Sequence, residues 1–214
     1  MRNFHLPGRS PTVARHAMAT TSHPLATKTA IDILQSGGNA IDAAIAATAL
    51  LGVIEPAMTG AGGDCFCLMW KPGKGLIGLN GSGRAPKGAT VEALKARGIS
   101  KIEVQTPHAA TVPGAVDAWE TLNRDHGKLP FARLLEPAID AAKNGFAVAP
   151  RVSHDWAKLV EKLSRHEGSR KHLLVNGKAP KVGSVMRMAA FAATLERIAK
   201  GGAEEFYNGA TARD

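Results

Sequence analysis

Gly37-Gly38-Asn39-Ala40-Ile41-Asp42-Ala43-Ala44-Ile45-Ala46-Ala47-Thr48-Ala49-Leu50-Leu51-Gly52-Val53-Ile54-Glu55-Pro56-Ala57-Met58-Thr59-Gly60-Ala61-Gly62-Gly63-Asp64 is the stretch that decides how this chain folds. Gly37-Gly38 ends a preceding helix in the manner of a C-terminal cap. Asn39 can cap the next helix, and Asp42 in its first turn suits the positive end of the helix dipole. Residues 43–54 are apolar nearly all round, which predicts a helix buried on several sides, as in the interior layer of a layered fold. Pro56 closes it, and residues 59–64 form a glycine-rich turn.

Working outward, residues 17–22 are short and Thr-rich and read as a strand. Pro24 suits the first position of a helix, where its missing N–H costs nothing. Leu25, Ala26, Thr29, Ala30, Ile33 and Leu34 then recur at helical spacing. Residues 65–70 and 76–80 read as two strands of a hairpin joined by the Lys71–Gly75 turn. Beyond Pro86 the chain is mostly helical. Helices are expected over 91–97, over 113–126 opened by Pro113, over 131–144 ended by Gly145, and over 151–163 and 186–199. The plan is α+β, in layers. Residues 1–17 read as a polar leader ahead of one partial domain covering 1–214.

At 214 residues, 44% hydrophobic and 21% charged, the composition is that of a globular chain. Cys65 and Cys67 sit too close in sequence to staple distant segments, so the fold does not depend on disulfides and a reducing compartment is expected. Residues 1–22 lack the apolar core of a signal peptide, and the run 40–54 is shorter than the roughly 20 residues that span a bilayer. The expectation is a soluble chain with no membrane partner, placed in the cytoplasm, with the periplasm or secretion as the alternative. The net charge of +9 concentrates in residues 151–187. Besides its histidines that stretch has Trp156 as its one aromatic, too little for base stacking, so a solvated face is read there and no nucleic acid.

Single motifs give little. Gly60-x-Gly62 lacks the third glycine of a dinucleotide fingerprint and leads into a strand. Asn80-Gly81-Ser82-Gly83 resembles a nucleophile elbow loosely and reads better as a turn at a strand end. Cys65 and Cys67 share one strand face and read as small buried hydrophobes. The eight histidines show no metal-ligand spacing, and His23 reads as structural.

Taken together, ordered blocks resemble a known family. They are Ala19-Thr20-Thr21-Ser22-His23-Pro24-Leu25-Ala26-Thr27, then Gly37 to Ala44, and then Glu55-Pro56-x-x-Thr59-Gly60-x-Gly62-Gly63-Asp64-Cys65-Phe66. Downstream come Thr111-Val112-Pro113-Gly114-Ala115-Val116, Leu135-Glu136-Pro137-Ala138-Ile139-Asp140-Ala141-Ala142-x-x-Gly145-Phe146, and Glu204-Glu205-Phe206-Tyr207-Asn208-Gly209. Spread over nearly the whole chain, they resemble the γ-glutamyltransferases, which belong with the N-terminal-nucleophile hydrolases. The resemblance implies the N-terminal portion of an αββα sandwich, incomplete in this chain, from a precursor that cuts itself. A threonine freed at the new N-terminus attacks a γ-glutamyl amide such as glutathione, with its own α-amine as local base, and the acyl group passes to an amino acid, a peptide or water. Backbone N–H groups stabilise the oxyanion. The family's nucleophile lies downstream of anything matching Asp214, so no catalytic residue is expected here and this piece alone is expected to be inert. Its partners would be the remainder of the large subunit and the small catalytic subunit. No metal or cofactor is implied. Thr20-Thr21-Ser22-His23 superficially resembles the nucleophile's context, yet it runs into Pro24 and matches the family's opening instead.

One site residue follows from the resemblance. In the family an arginine in an Arg-Glu-x-Ala-Pro context holds the substrate α-carboxylate, a task suited to its planar fork. Aligned on Ala85-Pro86, that arginine falls on Ser82, and Arg84 lies two residues later. Either the Gly81–Gly83 turn re-routes the backbone so that Arg84 reaches the pocket, or Arg84 is a surface residue in a branch that handles other amides, as cephalosporin acylases do. The first is the leading reading, and a non-catalytic nucleic-acid-binding domain is the alternative of a different class.

Overall fold

The computed structural model describes residues 12–103 and 106–213. Most of the leader expected over 1–17 lies outside the described residues. Two helices come first, α1 (Pro24–Gln35) and α2 (Ala40–Ile54). Between them Gly37, at φ 97°, and Gly38 return their N–H groups to Leu34 and Ile33, so the last carbonyls of α1 are satisfied as the chain reverses. Asn39 Oδ1 accepts from the N–H groups of Ile41 and Asp42, and the Asp42 carboxylate accepts from Asn39 N–H at 2.9 Å. The two ends of the first turn of α2 are thereby closed reciprocally.

Helix α2 is buried on nearly every side. It packs against α1, α4 (Ala115–His126) and α5 (Phe131–Asn144), and α5 in turn packs against α9 (Ala189–Asn208). Small residues let the backbones close in. A Cβ on Gly52 would come 3.1 Å from the Cα of Gly60, so the glycine turn after α2 lies directly on the helix it follows.

The hairpin β1 (Cys65–Lys71) and β2 (Gly75–Gly81) is antiparallel, pairing Cys67 with Leu79 and Trp70 with Leu76. Cys65, Cys67, Met69 and Leu79 turn inward and join the core. The alternate residues point out: Phe66, Leu68, Trp70 and Leu76 are 67%, 79%, 70% and 71% exposed. An apolar sheet face of that kind is what another layer would cover.

The remaining elements are α3 (Val91–Ala96), a 3-10 turn (Pro107–Ala109), β3 (Phe146–Ala147), α6 (Pro150–Lys158), α7 (Val160–Ser164), α8 (Glu167–Leu173), β4 (Val185–Met186) and α10 (Ala210–Arg213). Helix α9 contains a break at Gly202 (φ 64°), where Ala203 N–H donates to Glu120 Oε2 at 3.1 Å and the helix restarts on α4.

Several expectations are corrected. Residues 17–22 form no strand, because no described segment pairs with them and an extended chain without a ladder partner is only an extended chain. The helix expected over 151–163 is two, since Leu159 N–H bonds to Trp156 O and interrupts the four-residue ladder. The last long helix starts at Ala189, not 186, because Met186 pairs with Phe146 in the short β3–β4 ladder. Helix α4 begins at Ala115, with Gly114 as its cap and Pro113 before it.

Candidate functional site

At Gly81 the hairpin ends and the chain turns sharply. Asn80 Oδ1 accepts from Ser82 N–H at 3.0 Å, and Gly83 adopts φ 71°. No L side chain fits there: a Cβ on Gly83 would collide with the carbonyl oxygen of Val112, and one on Gly114 with that of Gly81. The strips 81–84 and 112–114 therefore run in direct backbone contact, tied by Val112 N–H to Arg84 O at 2.9 Å. Gly63 O, at the end of the glycine turn, accepts from Gly114 N–H and Ala115 N–H, both at 3.0 Å. The glycine turn, the loop after β2 and the start of α4 thus form one fixed unit.

Along this seam opens a cleft of about 600 Å³, lined by Ser82, Arg84, Lys87, Asp117 and Tyr207 among others. Arg84 is exposed, and its guanidinium has no ion pair or hydrogen-bond partner among the described residues. Such a guanidinium, with Lys87 lining the same cleft, is a ready anchor for a carboxylate. Ser82, where the family arginine aligns, lies on the same wall. The turn therefore places Ser82 and Arg84 on one cleft. Asp117 and Tyr207 were missed, since no local pattern marks them, and Tyr207 stood in the sequence only as part of the block 204–209.

The other sequence candidates go elsewhere. No helix follows directly on Ser82, the next starting at Val91, so the loose elbow resemblance has no structural counterpart. Cys65 and Cys67 are unpaired and only half-buried, and burial pushes both thiols above their ordinary range. Among the described residues no group of His, Cys, Asp and Glu is placed to hold a metal ion. No helix among them is long and apolar enough to cross a membrane. Trp156 is buried, its indole N–H donating to Leu173 O at 2.8 Å, so it offers no base a stacking surface.

His23 caps α1, its Nδ1 accepting from Leu25 N–H at 3.2 Å. Thr21 Oγ1 donates to His23 O, and Ser22 Oγ donates to the buried Glu55 at 2.6 Å. The Thr20–His23 stretch is thus a joint between α1 and the end of α2. A second cavity, about 260 Å³ and lined by Ser22, Glu55, Met58 and Arg151 among others, adjoins that joint and not Arg84.

Comparison with known proteins converges. The family model described as gamma-glutamyltranspeptidase matches residues 26–214. The oxamate amidohydrolase proenzyme of Klebsiella pneumoniae is 40% identical over 94% of this chain and 39% of its own length. The glutathione hydrolase-like YwrD proenzyme of Bacillus subtilis is 39% identical over 90% of this chain and 37% of its own. A crystal structure of cephalosporin acylase from Bacillus halodurans superposes with a TM-score of 0.85 at 39% identity, covering 97% of this chain and 41% of that one. The chain spans about two fifths of the length of these relatives.

Proposed function

Because the chain belongs to the gamma-glutamyltranspeptidase family, we propose that it is the front of the large subunit of a self-processing amide hydrolase or acyltransferase. The mixed helix and strand content is that of its relatives. The finer reading is one half of an αββα sandwich, and the exposed apolar outer face of the hairpin supports it, since a second sheet packed there would bury Phe66, Leu68, Trp70 and Leu76.

In this reading the nucleophile is a threonine freed by self-cleavage downstream of residue 214. Its hydroxyl attacks the amide carbonyl, its own α-amine takes the proton, and an acyl-enzyme forms as the amine leaves. Water completes hydrolysis, and an amino acid or peptide completes transfer. No step needs a metal or cofactor. This chain contributes binding: Arg84 holds the carboxylate that positions the amide. The observation that carries the proposal is the Arg84 guanidinium, without a side-chain partner among the described residues, in a cleft built from backbone contacts.

The leading substrate class is a γ-glutamyl amide such as glutathione, whose α-carboxylate Arg84 would take. Oxamate, in the printed name of one relative, carries a carboxylate directly on its amide carbonyl, so the same anchor would serve it. The two-residue displacement of Arg84 from the family position favours a second reading, an acylase of the cephalosporin type with a differently shaped acyl group.

The intact precursor tests this. N-terminal sequencing of its mature small subunit should return threonine. Arg84→Ala should lower kcat/KM for a γ-glutamyl anilide about 10- to 100-fold, chiefly through KM, the worth of a charge-assisted pair. An unchanged KM would remove Arg84 from the site.

A further inference from the structure

We infer that Tyr207, which lies 123 residues beyond Arg84 in the sequence, is a positioning residue that holds Arg84 in its substrate-binding place; this rests on the reading of Arg84 as the carboxylate anchor. No described side chain pairs with the guanidinium, so its position is set by the backbone beneath it. That backbone has one direct tie, the 2.9 Å bond from Val112 N–H to Arg84 O. The strip carrying Val112 belongs to no strand or helix. Its far end is fastened by Gly63 O, which receives the N–H groups of Gly114 and Ala115.

Between those fastenings the carbonyl of Pro113 accepts a 2.6 Å hydrogen bond from the Tyr207 hydroxyl. The Tyr207 hydroxyl oxygen in turn accepts from Asp117 N–H, in the first turn of α4, at 3.3 Å. One phenol therefore bridges the strip under Arg84 to the helix that follows it. Only as O–H can it donate to Pro113, and burial raises its pKa, so it stays protonated across the working range.

Tyr207 is itself held on both sides. Its ring meets Phe206 edge-on at 4.9 Å. The helical segment that carries it restarts after Gly202, where Glu120 of α4 accepts from Ala203 N–H. Deleting the hydroxyl would free Pro113 and, through Val112, the carbonyl of Arg84. A loss of positional precision at an anchor is felt in binding, because the guanidinium must meet its carboxylate within a fraction of an ångström.

The test is a double-mutant cycle in the intact precursor with γ-glutamyl-p-nitroanilide, comparing Arg84→Ala, Tyr207→Phe and the pair. Phenylalanine keeps the ring contacts and removes only the hydroxyl. The expected result is a KM raised about 3- to 10-fold by Tyr207→Phe with kcat little changed, and no further rise when Arg84 is already alanine. An unchanged KM, or the same rise in the Arg84→Ala background, overturns the inference while leaving the anchor intact. If Arg84→Ala alone leaves KM unmoved, the anchor reading fails and the inference falls with it. A second readout covers a variant that processes poorly: amide exchange at Val112 should quicken about 3- to 10-fold in Tyr207→Phe, and unchanged protection there refutes the tie.

Discussion

Replacing Asp42 should unfasten the middle of the molecule. Its carboxylate is fully buried and serves two parts of the chain at once. It closes the first turn of α2 through Asn39 N–H, and across the core it accepts from Lys128 N–H at 3.0 and 3.1 Å, Leu129 N–H at 3.3 Å and Asn123 Nδ2 at 3.4 Å. Beside it, Asn39 Nδ2 donates to His126 O at 2.7 Å. Each hydrogen bond to a charged acceptor contributes about 1.5–3 kcal/mol, but Lys128 is exposed and its N–H can turn to water. Asn123 Nδ2 keeps its 2.9 Å bond to Leu129 O, so the N–H groups of the half-buried Asn39 and Leu129 then dominate, and Asp42→Ala should cost about 3–5 kcal/mol. Asp42→Asn keeps one acceptor oxygen but turns an NH2 toward backbone donors, so about 2–3 kcal/mol is expected. For a domain of this size, 3–5 kcal/mol corresponds to a fall in Tm of roughly 6–20 °C. Thermal and urea unfolding followed by circular dichroism would measure it, with amide exchange at Lys128 and Leu129 as the local readout. A loss below about 1 kcal/mol for Asp42→Ala would refute the reasoning, because the buried donors would then have found other partners.

The other predictions concern pH and backbone contact. Burial lowers the pKa of His23, against a smaller opposing pull from Glu55, so the folded state favours the neutral ring whose Nδ1 accepts from Leu25. The ordinary value is 6.5, so this contribution is fully present above that pH and is lost as pH falls below it toward the folded value. Tm should therefore drop more steeply between about pH 7 and 5 in the wild type than in His23→Asn, which keeps a capping side chain; matching slopes would refute the assignment. Gly114→Ala would drive a methyl into the Gly81 carbonyl, and a loss of about 2–3 kcal/mol is expected. Gly62→Ala meets nothing within 4 Å and should stay within about 0.5 kcal/mol; equal effects at the two sites in urea unfolding would sink the close-contact argument.

What the sequence disclosed was whatever local chemistry enforces. Pro24 and the Gly37-Gly38 pair bracket α1, Asn39 and Asp42 start α2, and Gly145, at φ 104°, ends α5 where expected. The hairpin was legible because a glycine-rich turn separates two β-prone runs. The features that were misread or missed depend on partners far along the chain. Residues 17–22 lack a paired strand, and the two-residue ladder of β3 and β4 is too short to leave a periodic signal. The split at Leu159 rests on a single backbone bond, Leu159 N–H to Trp156 O, that no residue pattern marks. At the candidate site Arg84 could be found from Ala85-Pro86, but its cleft could not. Its walls come from residues 80–87, 112–114, 117 and 207, joined in part by glycine contacts that no local pattern announces. Asp42 shows both sides: its place at the positive end of the α2 dipole was legible, its bond to Asn39 N–H and its grip on Lys128 and Leu129 were not.

The outward face of the hairpin also governs how the chain behaves in solution. Each of the two strands has one edge without a partner among the described residues, next to a row of exposed aromatic and aliphatic side chains. That combination is a template for self-association. Opposing it is the +9 charge, which makes copies of the chain repel each other. Such repulsion reaches about 30 Å at 0.01 M ionic strength but only about 8 Å at 0.15 M. Handled by itself, the chain should stay dispersed in dilute buffer and cluster as salt is added, so its colloidal state becomes a gauge of how well that face is covered.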